Sequence, residues 1–229
     1  MSRETRNKIR QLRKHIDDLS DEQLARIYMV MKVYIDAYAN QTISQDQWLE
    51  GLDEIVDIFY NSFEETYAET SKALSKIYKK VEKFNVDKVD DLIYQKDGKT
   101  LNERLAMHWN EAEFKLKAGV SKKDALKTLL YRFTVVLNTE SRNIEETVKK
   151  HKKPVPEPGQ YIIQVIEGCG GDCGVGCTGY NGIFAEDDDV PWPPYHPNCQ
   201  GIAYYDITDD PDEIEDLGLD EGDLDEGGI

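Results

Sequence analysis

Residues 48–81 read WLEGLDEIVDIFYNSFEETYAETSKALSKIYKKV, and the spacing of their apolar side chains decides the fold class. Trp48, Leu52, Ile55, Phe59, Phe63, Tyr67, Leu74, Ile77, Tyr78 and Val81 recur at steps of mostly three and four. That is the stripe of one helical face. No glycine or proline interrupts it between Gly51 and Gly98. The pattern predicts an amphipathic helix from about Ser44, roughly 40 residues and so about 60 Å long at 1.5 Å per residue. Its aromatic side chains read as packing residues rather than as a cofactor site.

The same period extends in both directions. Upstream, Ser20 followed by Gln23 has the form of a helix start, with Ser20 as cap, leading into Ile27, Met31, Val33, Tyr34 and Tyr38. Downstream, Lys96-Asp97-Gly98-Lys99 predicts a turn. Thr100-Leu101-Asn102-Glu103 opens a helix through Leu105, Trp109, Phe114 and Leu116 that stops at Ala118-Gly119. Ser121-Lys122-Lys123-Asp124 opens another, carrying Leu126, Leu129, Leu130, Phe133, Val136, Ile144 and Val148. Pro154, Pro156 and Pro158 then break the pattern and predict a stiff, extended linker.

After the prolines the period changes. Tyr161 to Ile166 and Gly201 to Asp206 are strand-like runs. Between them lie all four cysteines, among eight glycines from 168 to 201 and four prolines, a composition that predicts loops. The expected fold class is mainly α, with an elongated helical domain and a small β-containing, metal-stapled C-terminal module. The division is 1–153 elongated helical domain, 154–160 proline linker, 161–207 small zinc-binding β module and 208–229 acidic tail.

Charge is unevenly placed on the chain of 229 residues, whose formal net charge is −17. Residues 206–229 carry twelve Asp and Glu and neither Lys nor Arg. Such a segment cannot bury enough apolar surface to offset its ordering entropy, so disorder is expected. Arg3, Arg6, Lys8, Arg10, Arg13 and Lys14 crowd the other end. They read as a solvated helix face, with contact to nucleic acid or an acidic protein surface as the alternative. The net charge is not that of a general nucleic-acid binder. No run approaches the ~20 apolar residues of a membrane span, and Met-Ser-Arg-Glu-Thr-Arg-Asn-Lys is not the start of a signal peptide. A reducing compartment is therefore expected, where clustered cysteines are more often metal ligands than disulfides.

The cysteines fall as Cys169-Gly-Gly-Asp-Cys173-Gly-Val-Gly-Cys177, eighteen residues, then His196-Pro-Asn-Cys199. Thiolates with a histidine three residues before the last suit a tetrahedral soft-metal site that stands in for a hydrophobic core. Cys177, His196 and Cys199 form the set, with Cys173 as fourth ligand and Cys169 as its alternative. Gly174 and Gly176 let the C-x3-C loop tighten. An all-cysteine set without His196, and free or disulfide-paired cysteines, remain open. The histidine and the wide gap favour structural zinc over an iron–sulfur cluster. His15, His108 and His151 stand alone on helices and read as surface residues. There is no His-Glu-x-x-His, no Gly-x-Ser-x-Gly, no phosphate loop and no dinucleotide fingerprint.

Three segments in chain order resemble the tailed-phage head-morphogenesis, or minor head protein, family related to the F protein of phage Mu. Leu137-Asn138-Thr139-Glu140-Ser141-Arg142 is similar to that family's Arg-Thr-Glu helix motif, with Asn138 in place of the leading Arg. A strand leading into a cysteine pair follows, from Tyr161 to Cys177. Pro193-Pro194-Tyr195-His196-Pro197-Asn198-Cys199 is similar to the family's Pro-Pro-x-His-Pro-Asn-Cys-Arg-Cys ending. Here C-x3-C replaces C-x2-C, and Gln200-Gly201 replaces the terminal Arg-Cys. The resemblance covers about residues 125–206. It implies a non-enzymatic, low-copy virion or procapsid component at or near the portal, made in the host cytoplasm. Its partners would be portal and capsid proteins, with packaged DNA touched through the basic N-terminus, and it would serve head assembly or DNA delivery without a membrane anchor. Residues 139–142 would then pack the last helix against the metal module. The rival readings are a zinc-ribbon-like regulator that binds nucleic acid through Arg3 to Lys14, and an enzyme, either a metal-dependent hydrolase or an ADP-ribosyltransferase using Glu140 and Arg142.

Overall fold

The computed structural model describes residues 3–78, 80–81, 83–93, 98–167, 182–184 and 201–209. They form helices α1 (Arg3–Ala39), α2 (Gln45–Ile77), α3 (Leu101–Lys117) and α4 (Lys122–His151), a short 3-10 turn at Val89–Leu92, and strands β1 (Tyr161–Glu167), β2 (Gly182–Phe184) and β3 (Ile202–Thr208). The molecule is thus mainly helical with a small sheet.

Helix α1 does not start at Ser20. It runs 37 residues through that position, because Ile9, Leu12, Ile16, Ser20, Gln23, Ile27, Met31 and Ile35 form one buried stripe at steps of three and four. Ser20 and Gln23 occupy stripe positions, at 4% and 5% exposure. The capping signature therefore sits inside a helix. The start signals downstream do cap. Thr100 Oγ1 accepts from the Glu103 N–H while Glu103 accepts from the Thr100 N–H, a complete capping box. Ser121 Oγ accepts from the Asp124 N–H at the head of α4.

Helix α2 ends at Ile77, four residues before the apolar stripe does. The residues beyond it bond to other parts of the chain. Tyr78 Oη donates to the Tyr205 carbonyl at 2.9 Å, Val81 forms a β-bridge with Pro154, and Tyr67 Oη donates to the Phe84 carbonyl. Pro154 and Pro156 are buried.

The described chain gathers into two compact units. One takes 16–66 and 87–144, so that parts of all four helices share a core. Trp48 stacks on Trp109 with ring centroids 4.2 Å apart, Tyr38 leans on Trp48, and Phe59 meets Phe133 edge-on. The Trp109 indole N–H donates to the Trp48 carbonyl, 3.1 Å away. Asn143 Nδ2 donates to the Leu92 carbonyl, pinning the 3-10 turn to α4. Gly51 lets α1 and α2 close together: a Cβ there would lie 2.6 Å from the Tyr34 ring. Tyr34 Oη donates to Glu54 Oε1 at 2.7 Å, a bond that, with burial, pushes the hydroxyl up to about 12.

The other unit takes 1–15, 67–86 and 145–229. Its sheet is antiparallel in the order β2-β1-β3. The expected strands at 161–166 and 201–206 are present and pair with each other. Strand β2, within the stretch expected to be loop, is an addition; it pairs with the far edge of β1, setting Ile162 opposite Phe184. Residues 162–166 are all buried, so both faces of the central strand are covered. Gln164, buried on that strand, accepts from Tyr205 Oη at 3.0 Å, and the two are register partners.

Gly51→Ala should destabilise the protein by about 1–3 kcal/mol through overpacking against Tyr34. Helix propensity alone would stabilise it by about 1 kcal/mol, so the sign of the change in a urea unfolding midpoint decides which effect wins.

Candidate functional site

Cys169, Cys173, Cys177, His196 and Cys199 lie outside the described residues, as does the acidic segment 210–229. What the fold shows is the frame around the cysteine segment. Glu167 at the end of β1 is the register partner of Ile202 at the start of β3. The chain that leaves β1 after Glu167 returns to one edge of that strand as β2 and to the other as β3, and the β1–β3 ladder closes the base of the segment. Among the described residues no group of three or more His, Cys, Asp and Glu is arranged to hold a metal. No helix among them is long and apolar enough to cross a membrane.

Buried charge is concentrated on α4. In the first unit described above, Glu140 is fully buried and accepts from Arg104 Nη1 of α3 at 2.7 Å. Glu140 belongs to the Thr139–Arg142 segment that carried part of the resemblance. Its carboxylate meets a cation on the neighbouring helix.

In the second unit a four-residue network lies out of water. Arg13 Nε donates to Glu145 Oε2 and Arg13 Nη2 to Glu146 Oε1, each at 2.5 Å. Lys149 Nζ lies 3.2 Å from Glu145 and 2.5 Å from Glu146. None of the four side chains exceeds 7% exposure. Among these four side chains two cations face two anions, a pairing that offsets the cost of their burial. Burial pushes both carboxyls up. The Arg13 guanidinium and Lys149 ammonium outweigh it at Glu145, which is held below the usual carboxylate range. Glu146, which also feels the Glu145 charge, stays above it.

The expectation of a solvated basic face at residues 3–14 therefore fails at Arg13. A guanidinium is the more weakly hydrated cation, and its planar fork can serve two carboxylates at once. Lys8, by contrast, makes an exposed pair with Glu4 one turn away. The histidines divide as well. His15 is exposed, and the exposed His151 stacks on the Phe84 ring. His108 is not a surface residue: its side chain is 13% exposed, and burial with Arg132 nearby lowers its pKa.

Two of the buried charges were legible as anomalies of pattern. Arg13 falls between Ile9, Leu12 and Ile16 on the apolar stripe of α1, and Glu140 falls between Leu137 and Ile144 on that of α4. A charge at a stripe position marks a buried pair; which residue answers it depends on the tertiary fold.

No protein-family model, curated protein or solved structure matches the chain. The functional reading therefore rests on the residues themselves.

Arg13→Met should cost about 3–5 kcal/mol, because it strands two buried carboxylates with a single ammonium. Lys14→Ala, at the exposed neighbouring position, should stay within about 0.5 kcal/mol. Paired chemical-denaturation curves measure both.

Proposed function

We propose that this chain is a tailed-phage minor head protein, a low-copy component of the virion or procapsid at or near the portal that acts through protein contacts. The observation that carries the reading is the Pro193-Pro194-Tyr195-His196-Pro197-Asn198-Cys199 string. It lies between two strands whose pairing brings Glu167 against Ile202. That closed base supports a compact module for the cysteine segment, and a structural zinc held by Cys173, Cys177, His196 and Cys199, with Cys169 as alternative, would give the segment its missing core. Its role in head assembly or DNA delivery would be exercised from α-helical faces; several large apolar side chains, among them Met29, Val33, Phe114 and Tyr131, stand exposed there.

Two facts weigh between this reading and its rivals. Arg13 is spent on Glu145 and Glu146, which removes one cation from the surface a DNA-binding regulator would use. Glu140 is buried against Arg104, a placement that supports a structural role over a transferase acid.

Mass spectrometry of purified virions and procapsids should find the protein at a few copies per particle; its absence from both would overturn the assignment. Elemental analysis should give one zinc per chain. Cys177→Ser and His196→Ala should each lose it, with loss of amide-exchange protection in residues 161–167 and 202–208. Retained protection without metal would refute the zinc module.

A further inference from the structure

Helix α1 carries a second row of side chains on its solvent side. Met29 and Val33, one turn apart, are 59% and 61% exposed. Glu22 and Arg26 extend the row toward the start of the helix, and Asp36 and Asn40 extend it to the other end; each is exposed or half-buried. The row advances by alternating steps of four and three, the spacing of a coiled-coil seam. A lone exposed apolar side chain is ordinary. Two on adjacent turns, with charge in register on both sides, make the centre of a contact surface.

The two ends of the row carry opposite excess charge. At one end Asp21 and Glu22 stand against the single cation of Arg26, and Glu22 makes no ion pair among the described residues. At the other end two lysines share one carboxylate: Lys32 Nζ lies 3.5 Å and Lys122 Nζ of α4 3.3 Å from Asp36. Lys122 also reaches Asn40 Oδ1, 3.2 Å away. A two-fold axis crossing α1 at the level of Met31 sets Met29 of one copy against Val33 of the other. The same axis sets Arg26 against Asp36, and Glu22 against Asn40 and the Lys122 beside it. Excess anion then meets excess cation at both ends. A parallel pairing would set Glu22 on Glu22 and the lysines on the lysines, so charge selects the antiparallel arrangement.

We propose that this face of α1 binds the same face of a second copy of the chain, as an antiparallel two-fold pair with Met29 on Val33 at its centre and Glu22 on Lys122 at each end. The surface lies within the unit of residues 16–66 and 87–144 and stands independently of the head-protein reading. One helix pair covers less than the ~800 Å² per partner of a standard interface, so the dimer should be reversible, with a Kd on the order of 10–100 μM.

The test is sedimentation equilibrium of the full chain. It is run in about 0.15 M salt, which screens the long-range repulsion between two chains of net charge −17. A monomer–dimer equilibrium should appear between about 5 and 500 μM. Met29→Glu should weaken it at least about tenfold, with the circular dichroism spectrum and the urea midpoint of the monomer unchanged. Phe114→Glu on α3, where the side chain is 72% exposed, should leave the dimer as it is. Glu22→Lys and Lys122→Glu should each weaken association, and the double variant should return to within about threefold of the original Kd. A chain that stays monomeric throughout would overturn the proposal and leave the face to a different partner. Loss of the dimer with Phe114→Glu but not with Met29→Glu, or a double variant as weak as the single ones, would overturn it as well.

Discussion

A guanidinium without water is the constraint around which one half of this protein is arranged. Arg13 cannot be buried unless anions meet it, and both anions come from Glu145 and Glu146, more than 130 residues away in sequence. The pairing fixes the first turns of α1 against the last turns of α4. It is specific in a way that apolar contact is not, because a small slip of either helix would leave charge unanswered at a cost of several kcal/mol. Lys149 completes the balance from one turn along α4. The three-stranded sheet belongs to the same unit, so the strands that bracket the cysteine segment grow from a body whose helical part is held by charge as well as by burial.

The other unit solves the same problem with different material. Its aromatic rings pack in a chain from Tyr38 through Trp48 to Trp109, and Phe59 meets Phe133. One buried ion pair, Arg104 with Glu140, ties α3 to α4. Aromatic packing tolerates small shifts that paired charges do not. The close approach of Gly51 to Tyr34 removes some of that tolerance by leaving no room for even a methyl group.

Where the sequence misled, the cause was local chemistry read without its packing. Ser20 and Gln23 have the spacing of a helix cap, yet no glycine or proline forces a break, and apolar residues at equal spacing on both sides carry α1 straight through. Tyr78 and Val81 have helical spacing, yet each finds a partner elsewhere in the chain, Tyr205 and Pro154, and the helix yields to those bonds. Arg13 was one of six basic residues in the first fourteen, and only its position on the apolar stripe separated it from the others.

The sequence alone determined the helical class, the caps at Thr100 and Ser121, the glycine stop after α3 and the two strands flanking the cysteines. Each of these depends on neighbours within a few residues: a hydroxyl three positions from an N–H, a missing Cβ, a change of apolar period from near four to two. Tertiary structure decided which carboxylate answers Arg13 and that β2 joins the far edge of β1. Those outcomes depend on groups far apart in the chain. Their interaction energies exist only once the backbone has brought them within a few ångströms, and no local propensity encodes that distance.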